Sequence, residues 1–129
     1  MIRQHFYVKD FWEVIVFYNV DYNFSYVIKS ALAGIGALPM FNRKFLKAMK
    51  EYALGGTASN IKRHVSVVLF NRHDSPEEYI NTIVHEAEHV KQAMLAAYDV
   101  EDGGEPPAYT IGYLVMRMYQ VFKTFIFCK

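Results

Sequence analysis

The sequence is poor in the residues that staple or tether a chain. Its single cysteine, Cys128, excludes an internal disulfide and cannot build a thiolate zinc site. With no base nearby, Cys128 reads as an ordinary residue. Long apolar runs are missing as well. The most apolar late stretch, from Ile111 to Cys128, is interrupted by Arg117, Gln120 and Lys123, which argues against a membrane span. The first residues mix Lys9, Asp10 and Glu13 among aromatics, so no secretory leader is expected and a cytoplasmic setting is. Neither sign of charge prevails. Fourteen Lys/Arg against thirteen Asp/Glu leave +1, which removes the electrostatic case for nucleic acid or an acidic membrane as partner. No repeat, low-complexity tract or charge run divides the chain, so residues 1–129 are expected to form one domain. What is there suits folding: 53% apolar residues over 129 positions are enough to bury a core without staples.

Periodicity gives the elements. Phe11 to Tyr18 is aromatic and β-branched, as strands are, and Asn19, Asp21 and Asn23 follow as turn formers. Phe24 to about Leu38 has helical character weakened by Gly34 and Gly36. Pro39 then interrupts. Phe41 to Leu54 reads as a short basic amphipathic helix ended by Gly55-Gly56, and Val65 to Phe70 as a second strand. Ser75-Pro76-Glu77-Glu78 combines a preferred N-cap, a first-turn proline and a glutamate three positions after the cap. Apolar residues recur from Ile80 to Tyr98 at helical spacing, and a turn-rich link, Val100 to Gly104, follows. Pro106-Pro107 opens a last helix whose broad apolar face includes Ile111, Leu114, Met118 and Phe122. The expected class is α+β, with a short antiparallel or mixed sheet packed on helices.

The capped helix carries His85-Glu86-Ala87-Glu88-His89, an H-E-x-x-H. At about 100° per residue, His85 and His89 share one face a turn apart, so both imidazoles can reach one ion. Glu86 is rotated to the flank. Glu78, Asn81 and Gln92 fall on the histidine side, whereas Ile83, Ala87 and Met94 fall nearly opposite. The spacing therefore predicts a helix with one face in the core and a polar, ligand-bearing face toward a cleft.

This motif resembles that of the zincin metallopeptidases. The resemblance implies that His85 and His89 ligate zinc and that Glu86 is the general base. Positions 92 and 95 are Gln and Leu, so the longer histidine-rich motif of the metzincins is absent. No histidine follows His89, which leaves Asp99, Glu101, Asp102 and Glu105 as candidates for a third ligand. Glu105 is chosen because gluzincins complete their site with a glutamate on a following helix, and Glu105 stands at the entrance of one. Asp99 and Glu101 lie about two and a half turns or more past His89. The segment Glu105-Pro106-Pro107-Ala108-Tyr109 is also similar to an E-x-x-A-Y of short zincin-like proteins from bacteria and their phages. Their better-known relatives carry an N-E-x-x-S-D signature and a downstream histidine, both missing here. Tyr109, or Tyr113 four residues on, is the candidate donor in that histidine's place.

The expected activity is that of a zinc-dependent hydrolase, a peptidase acting on peptide or protein. A substrate strand would pair with Val65 to Phe70 if that strand lies at the sheet edge. The competing class is a non-catalytic zincin-like module that binds a partner protein through its aromatic surface or through Arg43, Lys44, Lys47 and Lys50. His5 is read as a packing or surface residue, and His64 and His73, which could line a cleft, as loop-end histidines without a specific role. Gly34-Ile35-Gly36 lacks the third glycine and the preceding strand of a dinucleotide loop.

Overall fold

The computed structural model describes residues 1–20, 25–36, 39–51 and 53–127. The expectations placed on Asp21, Asn23, Phe24, Leu38 and Cys128 lie outside those residues. Among the described residues, nine elements follow in order: strands β1 (Ile2–Val8) and β2 (Trp12–Val20), helices α1 (Ser25–Gly34) and α2 (Pro39–Glu51), strands β3 (Gly55–Asn60) and β4 (Val65–Asn71), helices α3 (Pro76–Tyr98) and α4 (Glu105–Val121), and a π-helical turn, Phe122–Ile126. The α+β class expected from the sequence is the class observed. Among the described residues, no helix is long and apolar enough to cross a membrane.

The sheet runs β1-β2-β4-β3. β1 and β2 are antiparallel, β2 and β4 parallel, and β4 and β3 antiparallel. Alternation then sorts side chains onto two faces. Trp12, Val14, Val16, Tyr18, Val68 and Phe70 face α3 and α4, whose Tyr79, Ile83, Ala87, Val90, Leu114 and Met118 complete that core. Phe17, Val65, Val67, Leu69 and Ala58 face the other way, onto Ile28 and Leu32 of α1 and Leu46 and Met49 of α2. Arg43, Lys44, Lys47 and Lys50 line the exposed side of α2.

The sequence left the sheet position of its second strand open and placed two other features differently from the structure. β4 is not at the sheet edge. Its residues from Val65 to Phe70 are all buried, because a continuous apolar run can be covered on both faces, which is the setting of a central strand. The edge beside β4 is β3, Gly-Gly-Thr-Ala-Ser-Asn, in which Thr57 alone is a strand-forming residue, too little to mark it. Correspondingly, Gly55-Gly56 does not end α2, which stops at Glu51; the two glycines open β3. Each is needed for close approach. A Cβ on Gly55 would come within 2.7 Å of Thr82 Cγ2 from α3, and one on Gly56 within 2.5 Å of Phe45 Cζ from α2. Pro39, read as an interruption, is instead the first residue of α2, where its missing N–H costs nothing.

Helix α3 is tied to the link that leads into α4 through Lys91, only 7% exposed, whose Nζ reaches Glu88 Oε1 at 2.8 Å and both Asp102 carboxylate oxygens at 3.1 Å. Its hydrogen bond to Glu88, and then that to Asp102, hold the ammonium pKa above the ordinary lysine value. A raised folded-state pKa means that this contribution is fully present below the unfolded value and fades as pH rises through the folded one. With both carboxylates partly exposed, it amounts to about 1 kcal/mol. The stability difference between wild type and Lys91→Met, from urea unfolding, is therefore expected to be constant at neutral pH and to shrink in strong alkali. A difference that grows with pH would show that the pair does not stabilise the fold.

Candidate metal-binding and catalytic site

Helix α3 begins as its sequence demands. Ser75 has extended backbone angles, and its Oγ accepts a hydrogen bond from the Glu78 N–H at 3.1 Å. Pro76 fills the first turn, and Glu77 and Glu78 favour the positive end of the helix dipole. Asp99 ends the helix in the left-handed conformation. Between these caps the two faces separate as the spacing predicts. Ile83, Ala87 and Met94 are buried, whereas Glu78, Asn81, His85, His89 and Gln92 are exposed.

The histidines meet. Their ring centroids are 4.9 Å apart, and Nε2 of His85 lies 3.3 Å from Nε2 of His89. Two nitrogens bound to one tetrahedral zinc at 2.0–2.1 Å stand about 3.3 Å apart, so the pair has the spacing of two ligands of one ion.

Glu86 does not lie on an open flank. It is 4% exposed, turned between α3 and edge strand β3, where Thr57 Oγ1 donates to its Oε1 at 2.8 Å. Its other oxygen has no hydrogen-bond partner among the described residues, and it lies 3.2 Å from where a Cβ on Gly55 would stand. A buried carboxylate with one oxygen anchored and the other unpaired is costly unless it serves a ligand. Glu86 also lines a cleft of about 660 Å³, together with Leu54, Gly55, Asn81, Thr82 and His85.

The remaining candidates are placed elsewhere. Glu105 is exposed at the start of α4, and Asp102 is engaged by Lys91. Among the described residues, no group of three or more His, Cys, Asp or Glu is gathered to hold an ion, so Glu105 does not join His85 and His89 in this conformation. Tyr109 is 70% exposed and lines a separate cleft with Tyr7, Lys9 and Asp10. The Tyr113 hydroxyl accepts from Arg117 at 2.9 Å and donates to the Tyr7 carbonyl at 3.4 Å. Neither tyrosine lines the Glu86 cleft, because their faces of α4 turn toward the β1–β2 end of the sheet.

The other histidines have structural partners. His73 donates from Nδ1 to the Asn71 carbonyl at 2.7 Å, which leaves Nε2 to meet the Thr82 hydroxyl at 2.8 Å. Its ring packs 4.3 Å from that of Tyr79, and burial pushes its pKa below the ordinary histidine value. His64 stacks on Trp12 and lies 3.0 Å from the Tyr98 hydroxyl, while His5 bonds Glu13 at 2.6 Å. Sequence reasoning missed Gly55, Thr57 and Thr82 as neighbours of Glu86. Only the pair Gly55-Gly56 was visible, and it was read as a helix stop. No family model, curated protein or solved structure matches the chain.

Proposed function

We propose that the protein is a zinc-dependent hydrolase, with a peptide as the substrate its cleft suits best. One observation carries the reading. Two histidine nitrogens at tetrahedral ligand spacing stand on the same helix as a buried glutamate that lines the cleft and has one unpaired oxygen. His85 and His89 would hold the ion, with Glu105 as third ligand once the connection between α3 and α4 brings it across. Gly103 and Gly104, with φ of 156° and 80°, give that connection its freedom. When bound there, zinc would supply Lewis-acid polarisation of the scissile carbonyl and of the attacking water. Glu86 takes the water's proton and passes it to the leaving amine; its anchoring by Thr57 fixes which oxygen does so. The free edge of β3 offers backbone N–H and C=O groups to an extended peptide alongside Glu86. No tyrosine is assigned to the transition state, since Tyr109 lines another cleft.

Zinc titration against a competing chelator tests the site. His85→Ala and His89→Ala are each expected to weaken zinc binding by at least about a hundredfold, since each removes one of three protein ligands. Glu105→Gln should weaken it substantially, while Glu101→Gln should not. Unchanged zinc stoichiometry in both histidine variants would overturn the metal site. Release of zinc by Asp102→Asn alone would transfer the third position to an aspartate.

A second reading, a non-catalytic binding module, is favoured by the exposure of Tyr7, Phe11, Tyr98 and Tyr109 near the β1–β2 turn and the α3–α4 connection. Zinc-loaded wild-type protein that cleaves nothing in a broad peptide screen would favour this reading over the hydrolase.

A further inference from the structure

Across the sheet from His85, the face covered by α1 and α2 is only partly closed. The outward side chains of β1, namely Arg3, His5 and Tyr7, remain exposed. Between them and the flank of α1 lies a cavity of about 560 Å³. Its apolar lining includes Ile15 and Phe17 of β2, Val65 of β4, and Val27 and Ala31 of α1. The helix stands off because its residues there are small. A Cβ added to Gly34, which also lines the cavity, would meet nothing within 4 Å.

Two guanidiniums, of Arg3 and Arg63, complete the lining. Among the described residues, neither has an ion-pair partner or a hydrogen bond through its side chain. Glu13 also lines the cavity, with its Oε2 hydrogen-bonded to His5 Nε2 at 2.6 Å. Arg63 is held in place by its turn. Asn60 accepts from the Arg63 N–H at 3.2 Å and donates to the Ile35 carbonyl at 2.8 Å, which ties the turn to the end of α1. Gly36, at φ +81°, lets Arg63 pack close; a Cβ there would lie 3.1 Å from Arg63 Nη1.

Apolar walls with unpaired guanidiniums at the rim suit an amphiphilic anion. Guanidinium pairs with carboxylate by charge-assisted, often bidentate, hydrogen bonds, and the volume is that of a small-ligand pocket. We propose that this cavity binds a carboxylate carried on a compact apolar body, supplied either as a free medium-chain acid or as the apolar C-terminal residue of a peptide. The site is independent of the zinc reading, because the whole sheet lies between them.

Methyl NMR of the full chain tests it, with octanoate as probe. Octanoate is expected to move the Ile15, Val27 and Val65 methyl resonances, with octan-1-ol and butyrate binding at least about tenfold more weakly. The double variant Arg3→Gln/Arg63→Gln, changed only at exposed positions, should lose octanoate by about tenfold or more and keep its weak response to octanol. Ala31→Leu, which fills the cavity, should abolish both. N-acetyl-leucyl-phenylalanine as free acid and as amide identifies the source. Tighter binding of the acid than of octanoate assigns a peptide C-terminus, and the reverse order assigns a free fatty acid. Octanol binding as well as octanoate, an unaffected double variant, or no movement of the three residues' methyl signals would each overturn the proposal.

Discussion

Glu86→Gln is expected to leave the fold and the zinc affinity unchanged and to lower hydrolysis by about 10²–10⁴-fold, the usual worth of a positioned general base. The amide nearly matches the carboxylate in size. Its carbonyl can still accept from Thr57, so the packing between α3 and β3 is retained. The other end becomes an NH₂, which donates and cannot take a proton from water. Circular dichroism melting and zinc titration check the first half, and turnover of any cleaved peptide checks the second. Turnover within twofold of wild type would remove Glu86 from the base role. A variant that melts early would instead mean that the carboxylate is there for structure, buried to bond Thr57.

Trp12→Ala should be the most damaging single change to the fold, at about 3–5 kcal/mol. Trp12 is fully buried, its indole N–H donates to Ser66 Oγ at 3.1 Å, and its ring stacks on His64. Removing it opens a large hole at the junction of β2, β4 and the end of α3. Against a total stability of about 5–15 kcal/mol, such a loss leaves a fraction of the protein unfolded at room temperature. Trp12→Phe keeps most of the volume and should cost much less, because Ser66 still has Ser59 Oγ at 2.6 Å. Since Trp12 is the sole tryptophan, urea unfolding of the variants must be followed by circular dichroism. A loss below 1 kcal/mol would mean that the site collapses around the missing ring.

What could be read from the sequence followed how locally each feature is determined. α3 was legible from Ser75 to Tyr98 because cap, first-turn proline and apolar period all lie within it. β4 was legible as a strand from its run of Val, Leu and Phe, but its neighbours were not, so its place in the sheet stayed open. β3 could not be read at all. Gly55, Gly56, Ala58 and Asn60 have weak strand preference, and this segment is a strand because β4 pairs with it and Glu86 and Phe45 press on its glycines. β1 was hidden because Gln4, a polar residue on its inward face where it bonds Tyr18 and the Arg117 carbonyl, breaks the alternation of Ile2, Phe6 and Val8. The candidate site divides in the same way. His85 and His89 face each other by helix geometry alone, so four positions of sequence were enough. The burial of Glu86 depends on Thr57, 29 positions away, and the whereabouts of Glu105 and Tyr109 depend on how α4 returns along the sheet.

The parallel neighbours at the centre of the sheet also set the order in which the chain can assemble. β1 and β2 close across a short turn, with Val8 opposite Trp12, and α3 needs only its own residues to begin. The β2–β4 ladder must instead join Val14 to Ser66, 52 positions apart, with two helices and β3 in between. That long closure costs entropy before any contact repays it, so it is the slow step to be expected of refolding. Until it happens, the central apolar strand has open faces and open edges, and an unfolded pool at high concentration would associate through it. Refolding of this protein should therefore be cleanest when dilute. Substitutions within Val65 to Leu69 should slow folding more than they speed unfolding if that strand pairs in the transition state.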